Sequence, residues 1–253
     1  AALLALQLAT VRHPSDMPSE EGSARPSLKA SKIFKRLWDV SIATLLLLIL
    51  LPVFILISVT IFILEGMPIF YLSRRFVSKD QSVPILKFRT MASDATSPKY
   101  RLRERFMRDG YLDIPLTCEV YTPVGRFLER TQLVESLQLL NILVHGMSLV
   151  GNRPLPKDNI ELLSKLPGWE QRFESPAGIT GLSQVVGKLN QSPTERLELE
   201  SLYSKAYQNP SVNILWVDFA IYFYTVRMLL LNRPLSIEDA RRLCGEAASN
   251  RSS

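Results

Sequence analysis

Between Val40 and Leu64 the chain runs VSIATLLLLILLPVFILISVTIFIL, twenty-five residues without a charge. As a helix this run is about 37 Å long at 1.5 Å per residue, enough for a hydrocarbon core of about 30 Å. A surface helix of a globular protein keeps one polar face, and this run has none. It therefore reads as a membrane segment. It is too long for a signal peptide, and no small-residue cleavage site follows it. Pro52 stands at its midpoint. Proline removes one backbone donor and clashes with the preceding turn, so it kinks a helix. Lys32, Lys35 and Arg36 precede the run, and Arg74, Arg75 and Lys79 follow it. A simple span concentrates its positive charge on the cytoplasmic side. Two basic flanks fit a bent, re-entrant helix that enters one leaflet and returns to the cytoplasm. An ordinary span with a tolerated proline fits the run as well.

The whole chain has 253 residues, 47% hydrophobic and 21% charged, so it has the means to bury a core. Two cysteines, Cys118 and Cys244, exclude a disulfide scaffold. Two histidines, His13 and His145, exclude a His-rich metal centre. The net charge of +6 is the one hint of nucleic acid, but base-reading motifs are absent and the cations flank the membrane run. Residues 1–31 contain PSDMPSEEGSARPS and read as a flexible linker or the end of a preceding region. The sequence opens on Ala1 rather than a methionine and leaves open whether residues precede it. The membrane helix then occupies 32–66, a domain 67–232, and a C-terminal helix and tail 233–253.

The expected fold is mainly α with short β segments. Ile69–Leu72 and Ile85–Phe88 read as extended, and Lys99–Arg108 as a charged helix. Phe127, Leu133, Leu137, Leu140 and Leu143 fall near helical spacing, which predicts one helix over Arg126–Leu143. Asn159–Leu166 reads as a short helix. Ser192, Pro193 and Glu195 make a helix start for Ser192–Ala206, with a cap, a first-turn proline and a capping-box acid. Val212–Leu231 carries Trp216, Tyr222 and Tyr224, which suit either a membrane–water boundary or a buried core. Ser236–Ala248 reads as a last capped helix.

Three segments have the chemistry of a site. Lys87-Phe88-Arg89-Thr90-Met91 sets two cations at i and i+2, on one face if extended. Such a pair suits phosphate, and basic residues near a membrane also face anionic lipid. Met147-Ser148-Leu149-Val150-Gly151-Asn152-Arg153-Pro154-Leu155-Pro156 holds Arg153 in a rigid turn, aimed at an anionic ligand or a partner carboxylate. Pro176-Ala177-Gly178-Ile179-Thr180-Gly181-Leu182-Ser183-Gln184-Val185 has glycines that permit close backbone approach, to a ligand or simply within a core.

Together and in this order, the segments resemble the bacterial sugar transferase family, the monotopic phosphoglycosyl transferases, over about Lys32 to Leu231. Phe34-Lys35-Arg36-Leu37-Trp38-Asp39 before the membrane run, GRFLERTQLVESLQLLN at Gly125–Asn141 and RLELESLY before the aromatic helix extend the likeness. The resemblance implies transfer of a sugar 1-phosphate from a nucleotide diphosphate sugar to a polyprenyl phosphate. That reaction starts an exopolysaccharide, capsule or O-antigen chain at the cytoplasmic face of the bacterial inner membrane. It implies a re-entrant helix kinked at Pro52, a cytosolic catalytic domain with interfacial amphipathic helices, contact with inner-membrane lipids, and Mg2+. It assigns phosphate and nucleotide-sugar binding to Lys87, Arg89, Arg153 and Gln184. Glu135 becomes the catalytic and metal-binding residue. A homodimer is left open, and no nucleic acid is expected.

The catalytic segment departs from the family pattern. The family carries Asp-Glu where this chain has Val134-Glu135, and the Asp attacks phosphorus; a valine has no lone pair to offer. Glu129 stands where the family has Arg, Asn152 replaces a Pro, and His145-Gly146 replace Gly-Asp. Arg75 matches, but the following family Gly is Val77. Three readings follow. Glu135 attacks in place of the Asp, or the acceptor phosphate attacks directly while Glu135 holds Mg2+, or the chain is a catalytically silent scaffold in polysaccharide assembly. The intact phosphate-binding segments favour an active enzyme. His145, alone beside Gly146, reads as a loop residue before a base.

Overall fold

The computed structural model describes residues 28–108, 111–187 and 191–249. Most of the expected linker lies outside these residues. Helix α1, Leu28–Glu65, is continuous for 38 residues and runs through Pro52. Its buried residues are Lys35, Asp39, Ala43, Phe54, Ile57 and Ile61. They recur at three, four or eleven residues, which places them on one stripe. The rest of the apolar run, Leu48, Leu56, Ile63 and Leu64 among it, is exposed. One narrow face is thus docked and the remainder suits hydrocarbon.

Both ends of the stripe are fixed by polar bonds. Near the N-terminal end, Lys35 Nζ donates to Asp218 Oδ2 at 2.5 Å and to the Val150 carbonyl at 3.2 Å. Asp39 accepts from Ser148 Oγ at 2.5 Å, and Tyr203 OH donates to the other oxygen of Asp218 at 2.8 Å. Lys35, Asp39 and Asp218 are all buried. Arg36 donates to the carbonyls of Met147 and Ile142, both at 2.8 Å. At the far end, Arg89 donates to the carbonyls of Glu65, Gly66 and Met67 at 2.9, 3.1 and 3.1 Å. These carbonyls lack helical partners, and the guanidinium takes them up.

After α1 comes an antiparallel hairpin of β1, Phe70–Phe76, and β2, Ser82–Phe88, in the register Tyr71↔Lys87 and Arg75↔Val83. Strand β1 starts one residue later than the expected Ile69–Leu72 piece and runs on to Phe76, while β2 contains the expected Ile85–Phe88 and is longer. The charged helix expected over Lys99–Arg108 is shorter. Arg101 takes φ 46°, so α2 is confined to Leu102–Phe106, and β3, Met107–Arg108, pairs with β4, Tyr111–Leu112. The single helix expected over Arg126–Leu143 is three pieces. They are α3, Pro123–Arg130, a 3-10 turn Leu133–Gln138, and α4, Leu139–His145. The break is at Gln132, whose φ of 59° no α-helix accommodates. The predicted apolar positions do not form one face: Leu137 is buried but Phe127, Leu140 and Leu143 are exposed, and α3 and the 3-10 turn pack into one cluster while α4 packs into another.

Strand β5, Ser148–Val150, runs parallel to β6, Gly178–Thr180. Helix α5, Lys157–Leu163, lies between them in sequence, and α6, Leu182–Val186, follows. A Cβ on Gly178 would stand 2.1 Å from the Gly151 nitrogen, so the glycines serve close backbone approach within the core. Helix α7, Pro193–Gln208, starts with the expected capping box of Ser192 and Glu195. Helix α8, Ile214–Leu231, buries Ile214, Val217, Asp218 and Ile221 and exposes Trp216, Phe219, Phe223 and Leu230. It is core on one face and open on the other. Helix α9, Ile237–Ser249, closes the described chain. The architecture is mostly helical with short strands, as expected.

The Lys35 network gives a direct test. Lys35→Met would leave Asp39 and Asp218 buried without their cation, and breaking such a pair costs about 3–5 kcal/mol. A lower unfolding midpoint of that size in detergent-extracted protein is the expected outcome; an unchanged midpoint would show that the network does not hold α1.

Candidate functional site

The break at Gln132 puts Glu135 on its own turn, facing two cations. Lys87 Nζ donates to Glu135 Oε1 at 2.8 Å. Arg153 Nη1 donates to Glu135 Oε2 at 2.9 Å, and Nη2 to Oε1. The Arg–carboxylate contact is bidentate, the strong geometry for this pair. Side-chain exposure is 15% for Glu135, 18% for Lys87 and 33% for Arg153, so Arg153 forms the open side.

Each partner is positioned by its element. Lys87 is the penultimate residue of β2. Arg75, on β1, shares its face, because Tyr71 is opposite Lys87 and Arg75 is two alternations further on. Arg75 Nε donates to Ser73 Oγ at 2.9 Å. Arg153 leaves the turn after β5, and its carbonyl accepts from Arg172 Nη2 at 2.8 Å. Arg172 is itself buried and held by Glu200 Oε2 at 2.8 Å. Asn152 lies at the centre of this corner, donating to the Arg172 carbonyl at 2.8 Å and to the Glu200 carbonyl at 3.0 Å. The proline that the family pattern has there offers no such donors.

Charges here shape one another. Burial pushes the Glu135 carboxyl up, but Arg153 and Lys87 outweigh it and hold it well below the usual carboxylate range. Burial lowers Lys87 against the opposing pull of Glu135. Burial, then the like charge of Arg153, lowers Arg75. Glu129 is half-buried at the end of α3, and Thr90 Oγ1 donates to its Oε1 at 3.1 Å. Its carboxyl is raised, chiefly by burial. Three cations thus face two carboxylates.

The other residues expected at the site have different surroundings. Arg89 lies beyond the end of β2, where strand alternation no longer sets its direction, and it binds the end of α1 instead of joining Lys87. Gln184, on α6, donates to the Ile179 carbonyl of β6 at 3.1 Å, and its Oε1 is buried without a protein partner. It makes no contact with Glu135 among the described residues. Pro52 is inside α1. His145 Nδ1 lies 3.0 Å from Asn141 Nδ2, beside the helix-ending Gly146, and makes no contact with Glu135 among the described residues. Val134 is 3% exposed and packs with Phe54, Ile57, Ile61 and Phe88, so this position faces the core beneath α1 and not the cations. Sequence reasoning missed Arg172, and it noted Arg75 and Glu129 only as a match and a departure. The hairpin register was the signal that would have joined Arg75 to Lys87.

The donor set does not make a cage for a resident metal. No group of three His, Cys, Asp or Glu side chains converges among the described residues. Both oxygens of Glu135 are already committed to cations. Mg2+ is commonly held by one or two carboxylates plus substrate phosphates, and at most that part is present.

A domain that carries a cluster of Lys, Arg and Glu side chains at the flank of a long apolar helix fits the class of membrane-associated proteins. Residues 30–232 match the bacterial sugar transferase family, and the chain belongs to it. It is 34% identical over 228 residues to the exopolysaccharide production protein ExoY of Rhizobium meliloti, covering 87% of this chain and 94% of that protein. It is 28% identical over 207 residues to the UDP-glucose:undecaprenyl-phosphate glucose-1-phosphate transferase of Klebsiella pneumoniae, covering 79% of this chain and 41% of that protein. The undecaprenyl-phosphate galactose phosphotransferase of Salmonella typhimurium is 30% identical over 209 residues, covering 80% and 41%.

The buried Val134 makes a prediction. Val134→Asp would put a carboxyl into an apolar cluster, at a cost of several kcal/mol unless it takes up a proton. The expected outcome is a lower unfolding midpoint with no gain in transfer activity. A gain would show that this position reaches the substrate.

Proposed function

We propose that this chain transfers a sugar 1-phosphate from a nucleotide diphosphate sugar to a polyprenyl phosphate, the opening step of an exopolysaccharide, capsule or O-antigen chain. The observation that carries this reading is the bidentate and monodentate grip of Arg153 and Lys87 on Glu135, with Arg75 on the same strand face as Lys87. Family membership and the printed activities of the Klebsiella and Salmonella relatives supply the reaction class. Arg153 suits a diphosphate because its planar fork matches two phosphate oxygens, while Lys87 acts as a point charge. Glu135 keeps the cations in register and is displaced from them by substrate phosphate. Any Mg2+ the reaction uses arrives on the diphosphate and finds at most one protein carboxylate. The donor nucleoside monophosphate leaves as an anion, and fixed positive charge stabilises it without reorganisation.

In this reading the protein works at the cytoplasmic face of the inner membrane, with α1 re-entrant and bent at Pro52. Support comes from the two ends of α1. The N-terminal end is bonded to Val150 and Asp218 and the C-terminal end to Arg89, all within the same domain. A straight span would carry those bonds to opposite sides of a bilayer. The open aromatic face of α8 suits the lipid surface beside it.

Purified protein with undecaprenyl phosphate, Mg2+ and a panel of UDP-sugars is expected to release UMP. Arg153→Ala should lower the rate about 100-fold or more, the usual cost of one donor to a developing anion. No release with any donor from folded protein would favour the silent scaffold. For topology, single cysteines at Ser31, in the first turn of α1, and at Ser78, beyond its C-terminal end, are expected to react with an impermeant maleimide only after the cell membrane is opened. Labelling of one of them in intact cells would mean a simple span.

A further inference from the structure

Two departures in the catalytic segment, Glu129 and Val134, lie within five residues of each other and have a joint explanation. Val134 has turned into the core under α1. Glu129, in the last turn of α3, lies near enough to Lys87 and Arg153 for their charges to act on its carboxyl. Helix α3 is clamped at short range at its first turn. Thr122 caps it, accepting from Gly125 N at 2.9 Å, and Thr122 N donates to the Thr90 carbonyl at 3.1 Å. A Cβ at Gly125 would stand 1.9 Å from that same carbonyl oxygen, so only glycine permits the approach. Glu129 is one turn further along, and the Thr90 hydroxyl takes its Oε1. Thr90 is three residues from Lys87 in sequence and 8% exposed. The carboxylate is therefore oriented by a rigid, buried donor next to the cation pair.

The two carboxylates of the site are unlike. Both oxygens of Glu135 accept charge-assisted bonds. Glu129 has one neutral donor on one oxygen and no protein donor on the other among the described residues. We propose that Glu129 is the catalytic nucleophile of this chain, taking the role that Val134 cannot. This rests on the transferase reading above. The acceptor, a phosphate monoester with a second pKa of about 6, has no proton that must be removed at neutral pH, so a general base has little to do. A carboxylate beside a bound diphosphate can instead attack it. Glu129 Oε2 forms a bond to the sugar-bearing phosphorus. The bond from that phosphorus to the bridging oxygen breaks, and the nucleoside monophosphate leaves with its electron pair. An acyl phosphate joins Glu129 to the sugar 1-phosphate. A polyprenyl phosphate oxygen then attacks the same phosphorus, and the Glu129 carboxylate leaves unchanged. Burial, which raises the Glu129 carboxyl, makes it the better nucleophile of the pair.

The test uses the full chain in detergent with the same UDP-sugars and no acceptor. The expected result is a burst of up to one UMP per chain. An acid-quenched digest should carry a hydroxylamine-labile phosphosugar mass on the peptide containing Glu129. Glu129→Gln, which keeps the Thr90 hydrogen bond, should abolish the burst and lower turnover with undecaprenyl phosphate at least 100-fold, while donor binding stays within about threefold. The adduct on Glu135 or elsewhere, turnover without a burst, or a loss below 100-fold in the variant would overturn the proposal. Should the variant not fold, the labelled peptide of the native chain decides alone. Native protein that releases no UMP even with acceptor present would instead overturn the transferase reading itself.

Discussion

The structure depends on a long apolar helix that is tied down at both ends by buried polar bonds. Hydrophobic burial alone cannot fix such a helix in register, since a leucine-rich surface slides against a protein as readily as against lipid. Lys35 and Asp39 resolve this with directional bonds to β5 and α8, and Arg89 does so with three carbonyls at the other end. Between them, the Ala43-to-Ile61 stripe contributes area but little positional information. The domain's own cores meet this stripe. Phe88, Leu128 and Leu137 pack against Phe54, Ile57 and Ile61, so the residues around the cation site share a cluster with the long apolar helix.

The cation site follows from how its supports are stacked. Arg153 is not placed by its own turn alone. Arg172, Glu200 and Asn152 form a buried brace behind it, in which every charge has a partner and the guanidinium is fixed through its backbone carbonyl. A buried ion pair is a poor source of stability but a good source of geometry. The asymmetry between Glu135, saturated by cations, and Glu129, held by one hydroxyl, has the same origin. Each is held in place by a backbone segment that is pinned elsewhere.

Much of this was legible in the sequence. The uncharged run, the capping box at Ser192 and the rigid turn at Arg153 are local signals, and local physics decided them. The separation of Lys87 from Arg89 was not legible, because alternation holds only while the strand lasts, and β2 ends between them. Nor was the break at Gln132, since a left-handed residue leaves no trace in the spacing of Leu133, Leu137 and Leu140. Glu129 was visible only as an anomaly. Its meaning needed the contact between Gly125 and Thr90, which joins segments far apart in the chain.

Lys87 and Arg89 are separated by a single phenylalanine, and one grips the site while the other grips the foot of α1. That short stretch works as a ruler with two marks. In a bilayer, the depth to which α1 sinks would set the height of Lys87 above the headgroups. Leaflet thickness and lipid packing would then tune the distance a lipid-linked phosphate has to climb, with no change to any side chain in the pocket.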